Sequence, residues 1–321
     1  MFKTHDEARR HAFSAVGSSV RGCFRRIGPL ASVLSACCTL IAPAASPAEV
    51  PPGAHPIGHI FLIVMENRGY QEIIGRPEAP YVNGLAGRYA SSEAYFAVAH
   101  PSLPNYLALL GGDIFGIISD CTDCLVDAPN LADELESQGR TWKSYQEDLP
   151  FPCYGGDAFG GYVAKHNPFA YFRSIRDDAT RCQNIVPLAQ LDADLAAGAP
   201  PDFVWITPNL IHDMHDGSVA EGDHWLSGFV PSILASDAWK QDGVLVIVWD
   251  ESDSGGPGGG RVPLLVLSPS GRQGYRSSVT ANHYSLLRSI EDVWGLGYVG
   301  HSQDPDVQPI TDLFPIASIR S

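Results

Sequence analysis

The chain has 321 residues, of which 45% are hydrophobic, 18% charged and 10% aromatic; that composition can bury a core and excludes a disordered or fibrous protein. Its 32 glycines and 25 prolines argue against a helical bundle and for long, structured loops in one large domain. Twenty-one basic against 36 acidic residues give −15 at pH 7, and without a basic tract beyond the N-terminus the electrostatic footprint of a nucleic-acid binder is missing.

In chain order, residues 1–48 come first. They hold six basic residues against Asp6 and Glu7, an apolar run from Ile27 to Ala45, and small residues around Ala48. This layout predicts a secretion signal rather than a membrane-spanning helix, because Pro29 and Pro43 interrupt the run. Leu34-Ser35-Ala36-Cys37 also has the shape of a lipobox, which would leave a lipidated Cys37 as an anchor. Export places residues 49–321 outside the cytoplasm, secreted or periplasmic, as a single domain. It also leaves an even set of cysteines, Cys121, Cys124, Cys153 and Cys182. Two disulfides are expected, Cys121–Cys124 because the pair is close in sequence and Cys153–Cys182 by remainder; a four-thiolate zinc site fits the spacing poorly.

Apolar runs ending in polar residues predict strands at His59–Met65, Phe203–Ile206, Val244–Trp249 and Val262–Leu267. Helices fit between them at Pro80–Ser92, Leu103–Leu110, Pro129–Gln138, Pro187–Ala197, Leu226–Ala238 and His283–Trp294. The alternation reads as an α/β sandwich on a mainly parallel sheet, with residues 113–181 as a small cap insertion carrying the disulfides. Ligands in such sheets collect at the carboxyl ends of the strands, where Glu66, Asn67, Asp250 and Glu251 fall. Paired hard oxygen donors from two strand ends suit one divalent cation, although each pair alone could cap a following turn.

Ser102, in His100-Pro101-Ser102-Leu103-Pro104-Asn105-Tyr106, is placed at the start of an apolar helix. It is either a helix cap or a nucleophile meeting a phosphate at the helix N-terminus. His212, Asp213, His215, Asp216, Asp223 and His224 form a dense titratable loop cluster suited to metal ligation or leaving-group protonation. Lys165 and His166 offer a cation and an imidazole to an anionic substrate, and His283 opens the last helix as a phosphate or metal contact or a surface residue. The glycines at 255–260 read as a mobile loop over the site.

The order of Met65-Glu66-Asn67, the serine motif, Lys165-His166-Asn167-Pro168-Phe169, Thr207-Pro208-Asn209, Trp249-Asp250-Glu251 and Asn282-His283-Tyr284 resembles a bacterial phosphoesterase family. That family unites secreted acid phosphatases with phosphatidylcholine-type phospholipases C within the alkaline phosphatase superfamily. The likeness covers residues 57–315 and is greatest to the short acid-phosphatase branch. It implies an alkaline-phosphatase-like three-layer sandwich and hydrolysis of phosphomonoesters, including phosphoinositides, through a phosphoserine at Ser102. It further implies a metal on Glu66, Asn67, Asp250 and Glu251, with His212 and His283 contacting phosphate or leaving group. His212 departs from the family, where Asn is common, and Ser102-Leu103-Pro104-Asn105-Tyr106 lacks the Arg of a sulfatase frame. The alternatives are a phospholipase C and a non-catalytic metal- or phosphate-binding protein. The partner is a phosphorylated small molecule or lipid, so membranes are met only through substrate or a lipid anchor.

Overall fold

The computed structural model describes residues 57–253 and 256–315, so the expected secretion signal and lipobox lie outside the described residues. The strands are β1 (His59–Met65), β2 (Ala90–Ser92), β3 (Tyr95–Phe96), β4 (Trp142–Gln146), β5 (Ala158–Phe159), β6 (Tyr162–Val163), β7 (Ile185–Pro187), β8 (Phe203–Thr207), β9 (Gly243–Trp249), β10 (Leu264–Leu267), β11 (Arg276–Ser277) and β12 (Ala281–Asn282). The helices are α1 (Tyr70–Ile73), α2 (Pro80–Arg88), α3 (Ser102–Gly111), α4 (Leu131–Ser137), α5 (Arg173–Arg176), α6 (Gln190–Ala196), α7 (Val219–Ala235), α8 (Asp237–Asp242) and α9 (His283–Trp294).

Eight strands form one sheet in the order β11-β2-β10-β9-β1-β8-β4-β7. From β9 to β7 all neighbours are parallel, and β10 is antiparallel to both β9 and β2. The central strands β8 and β9 are buried at every residue and β1 at all but His59, which requires cover on both faces. That cover comes from two helix groups, α2 with α7, and α3 with α4 and α9. Helix α3 is buried along its whole length because its sequence is apolar on all sides apart from Ser102 and Asn105. Helix α7 is a 17-residue element opened by Ser218, which accepts from the Glu221 amide while the Glu221 carboxylate returns a bond to the Ser218 amide.

The expected cap is corrected here: residues 113–181 are not one insertion, because they contain α4 and the sheet strand β4. Trp142, Ser144, Tyr145 and Gln146 are buried, yet the sequence WKSYQ has neither an apolar run nor a clean alternation to announce a strand. The predicted helix at Pro80–Ser92 ends at Arg88 and gives way to β2, and that at Pro187–Ala197 begins only at Gln190, after β7. Both expected disulfides are present, with Cα separations of 5.8 Å for Cys121–Cys124 and 4.8 Å for Cys153–Cys182. Among the described residues no helix is long and apolar enough to cross a membrane.

Candidate active site

Register places the first acids. Met65 of β1 pairs with Trp249 of β9, so Glu66 and Asp250 leave adjacent parallel strands at the same level. The Asp250 amide donates to the Met65 carbonyl at 2.9 Å, and the Asn67 amide to Asp250 Oδ1 at 3.0 Å. Glu66 and Asp250 are fully buried and Glu251 nearly so. Asn67 contributes its backbone to this corner, in a left-handed conformation (φ 51°) that Asn tolerates well.

Ser102 is the first residue of α3; Pro101 stands at the cap position and no side chain caps the helix. The capping alternative therefore falls. The hydroxyl of Ser102 instead lies 3.0 Å from Glu66 Oε2 and 3.2 Å from Glu251 Oε1, bonded to the acids of both strand ends. Asn105 fixes the approach to the serine: its side-chain oxygen accepts from the amides of Val98 and Ala99, and its nitrogen donates to the carbonyls of Ala99 and Pro101. The other Glu251 oxygen holds the half-exposed His100.

His166 is buried flat against Tyr106, with ring centroids 5.2 Å apart. Its Nε2 lies 3.1 Å from Glu66 Oε1 and its Nδ1 3.2 Å from Asp213 Oδ2. The carbonyl of His166 accepts from Thr207 Oγ1 at the end of β8, which anchors the Lys165-His166 segment to the sheet. Lys165 Nζ donates to Asp120 Oδ2 at 2.9 Å and lies 3.1 Å from His215 Nε2. Asp120 Oδ1 accepts the Leu103 amide, next to the serine. No spacing rule singles out Asp120, which sits in an aperiodic loop beside Cys121.

The histidine–aspartate cluster divides. Asp213 and His215 face the centre across the left-handed turn at Met214, and the Asp213 carbonyl accepts the Glu66 amide at 2.8 Å. Asp223 accepts the amides of Tyr81 and Val82 at the start of α2. His212 is drawn elsewhere: its Nδ1 lies 2.9 Å from both Glu147 carboxylate oxygens, and its ring stacks on Trp225. His283, expected as a phosphate or metal contact or as a surface residue, is fully buried. Its Nε2 donates to the Asp250 carbonyl at 2.6 Å and its Nδ1 accepts from the Tyr95 hydroxyl at 2.9 Å, so both ring nitrogens are taken. The described part of the expected mobile loop is packed, since Gly260 accepts the Ala97 amide and Gly259 the Ser252 amide.

Burial pushes the carboxyls of Glu66, Asp213 and Asp250 well above the ordinary range, and each is pushed further by an acidic neighbour: Asp213 on Glu66, Asp250 on Asp213, and Glu66 on Asp250. Glu251 is raised for the same first reason, burial. His166 is held well below the usual imidazole range, first by burial and then by Lys165 and His215. For Lys165, burial works most strongly against the ammonium, but Asp120, Glu66 and Asp250 together raise its pKa. Glu66 and Asp213 flank the His166 imidazole, with Asp250 and Glu251 at the adjoining strand end, a concentration of acidic groups of the kind that suits a cation. Beyond the contacts of His166 with Glu66 and Asp213, the buried Glu66 Oε1, Asp213 Oδ2, Asp250 Oδ2 and His166 Nε2 make no hydrogen bond among the described residues, a donor set suited to a metal. Ligand atoms of Glu66, His166 and His215 all lie within 4.8 Å of one another. Beside the expected donors Glu66, Asn67, Asp250 and Glu251, this grouping brings in His166 and His215.

Residues 76–297 match the model of the phosphoesterase family. The chain belongs to that family. This phosphoesterase is 34% identical over 259 residues to a phosphatidylinositol-3-phosphatase of Mycobacterium tuberculosis, covering 80% of the chain and 82% of the relative. It is 30% identical over 261 residues to a probable acid phosphatase of Kluyveromyces lactis, covering 78% of the chain but 61% of that protein. Its fold is shared with a member of the alkaline phosphatase superfamily from Vibrio parahaemolyticus (TM-score 0.55, 13% identity, 76% and 68% of the two chains). The phosphonate monoester hydrolase of Agrobacterium radiobacter is also similar (TM-score 0.55, 14% identity, 80% and 77%). The phosphoesterase is accordingly a phosphoric ester hydrolase on an alkaline-phosphatase-like sandwich.

Proposed function

We propose that the chain is a secreted acid phosphatase that cleaves phosphomonoesters through a phosphoserine at Ser102. The observation that carries this reading is a buried serine at the first turn of α3 whose hydroxyl is bonded to the acids of two strand ends, Glu66 and Glu251. An incoming phosphoryl group meets the positive end of α3 and the Lys165 ammonium, whose charge Glu66 already feels. As Ser102 Oγ forms its bond to phosphorus and the bond to the leaving oxygen breaks, the serine proton passes to a carboxylate that already accepts it, and the leaving oxygen takes a proton from water to depart as the alcohol. Glu251 holds the half-exposed His100 on its other oxygen, which gives that proton a route to solvent. Water then attacks the phosphoserine, phosphate departs and Ser102 regains a proton.

Glu66, His166 and His215, with Asp213 and Asp250 beside them, would hold one divalent metal. When bound, it would polarise a phosphoryl oxygen and favour the serine alkoxide. His283, through the Asp250 carbonyl, positions that carboxylate.

The named relatives favour a monoesterase over a phospholipase C, and the intact set of serine and acids favours an enzyme over a binding protein. The mycobacterial relative brings phosphoinositides into the substrate panel. Secretion is supported by the two disulfides and by the N-terminal composition, and Cys37 remains the lipid-anchor candidate. The test is release of phosphate from p-nitrophenyl phosphate across pH, with and without divalent metal. Wild-type protein should turn over and Ser102→Ala should be slower by at least about a thousandfold. A folded wild type inactive on every monoester under all these conditions would contradict the proposal.

A further inference from the structure

Asp120 occupies the donors that a phosphoryl group at Ser102 would use. Helix α3 begins at Ser102, and the first amides of a helix have no partner within it. Pro104 lacks an N–H, so the Leu103 amide is one of few donors at this end, and Asp120 Oδ1 accepts it at 3.0 Å. The other oxygen of Asp120 accepts from Lys165 Nζ at 2.9 Å. This pair is largely shielded from water, with 18% of the Lys165 side chain and 28% of the Asp120 side chain exposed. Glu251, which accepts from the Ser102 hydroxyl, has a pKa raised first by burial and further by the Asp120 charge, so this carboxylate stands close to the serine.

A carboxylate with one oxygen on a helix-start amide and the other on an ammonium makes two contacts that a pair of phosphoryl oxygens would make. The two anions cannot share those donors, and at such range they repel. The segment that carries Asp120 is built to yield. No residue from 116 to 125 is buried, and Ile118 is 77% exposed. Among the described residues the backbone of 118–125 makes no hydrogen bond to other backbone, the mark of a segment that opens at low cost. The Cys121–Cys124 bridge ties the segment to itself, and Asp120 supplies its polar link to the site. Ile117, Cys121 and Cys124 pack against the core, which keeps the segment anchored when the carboxylate turns out to water.

We propose that Asp120 is a displaceable stand-in for the phosphoryl group: it holds the Leu103 amide and Lys165 in the resting site, and a phosphoryl group binds by taking both from it. The proposal rests on the phosphomonoesterase reading of Ser102 and adds to it a built-in competitor, which lowers affinity for substrate and for the phosphate released. Were Asp120 there to position Lys165 for substrate, its loss would weaken phosphate binding, so the two roles predict opposite signs.

Calorimetric titration of inorganic phosphate into the full chain carrying Ser102→Ala, with and without Asp120→Asn, reads that sign. Asparagine keeps the size of the side chain but turns an amide N–H toward one of the two donors, which it cannot accept. Asp120→Asn should tighten phosphate binding roughly tenfold, about what one charge-assisted bond contributes, and Asp120→Ala should do the same. Asp123→Asn removes an equal charge from an exposed residue of the same segment, one with no partner among the described residues, and should leave the affinity within about twofold. With Ser102 intact, Asp120→Asn should lower KM for p-nitrophenyl phosphate and the inhibition constant of phosphate together. Unchanged or weaker phosphate binding in both Asp120 variants, or an equal gain from Asp123→Asn, would overturn the stand-in. A wild type that hydrolyses no monoester would defeat the phosphatase reading alone, and calorimetry would still decide Asp120: tightening upholds the stand-in, and phosphate bound by none of the proteins overturns it.

Discussion

Glu66 is the side chain on which the site converges: one oxygen accepts from Ser102 and the other faces His166, with the Asp250 charge close by. Residues that act as a unit give non-additive losses. Glu66→Gln and Asp250→Asn should each lower both bound divalent metal and turnover, and the double variant should cost little more than either alone, as read by metal analysis and phosphate release. Independent, multiplicative losses would separate the two carboxylates. His283 acts one step back. Burial lowers its pKa to about 4, so it is neutral across the working range, and His283→Phe should reduce kcat and metal content together without shifting the pH profile in the neutral range. Much of this residue scale was legible. Ser102, Glu66 and Asp250 follow apolar runs or open an apolar helix, and two-period or helical reasoning finds such places. Asp120 and the partition of the 212–224 cluster were not legible, because a loop's direction depends on single turns such as Met214, at φ 82°, which no periodicity encodes.

Among the elements, α9 carries a carboxylate unrelated to the chemistry. Glu291 is fully buried, its Oε1 accepting the Val299 amide at 3.0 Å, and burial raises its pKa from 4.5 to about 7. A carboxyl raised in the folded state binds its proton more tightly there than in the unfolded chain. Stability is therefore retained at low pH and lost as pH climbs from 4.5 through about 7, by roughly 3 kcal/mol in all. Glu291→Gln should remove that slope: urea unfolding should show the variant gaining on wild type over this window, with no further change above it. A constant difference between the two would reject the buried-acid explanation. The elements also show where sequence patterning fails. Strands β1, β8 and β9 were visible because both faces are buried, whereas β2, β4, β7 and β11 lie toward the sides of the sheet, are short or polar, and gain their place from neighbours rather than from their own sequence.

For the whole molecule, the Cys153–Cys182 bridge closes a long loop, with a sequence separation of 29. Cys153→Ala with Cys182→Ala should lower stability by roughly 3–4 kcal/mol on chain-entropy grounds, measured by urea unfolding. An unchanged midpoint would leave the bridge without a stabilising part. The site draws on residues from 66 to 283, and the phosphoserine reading concerns one atom held by several elements. It is tested most directly by mixing wild-type protein with a phosphomonoester, quenching in acid and mapping phosphate by peptide mass spectrometry. The expected result is phosphate on the peptide at Ser102, absent in Ser102→Ala. Turnover with no phosphate on that serine, or Ser102→Ala keeping more than about a tenth of wild-type activity, would contradict it.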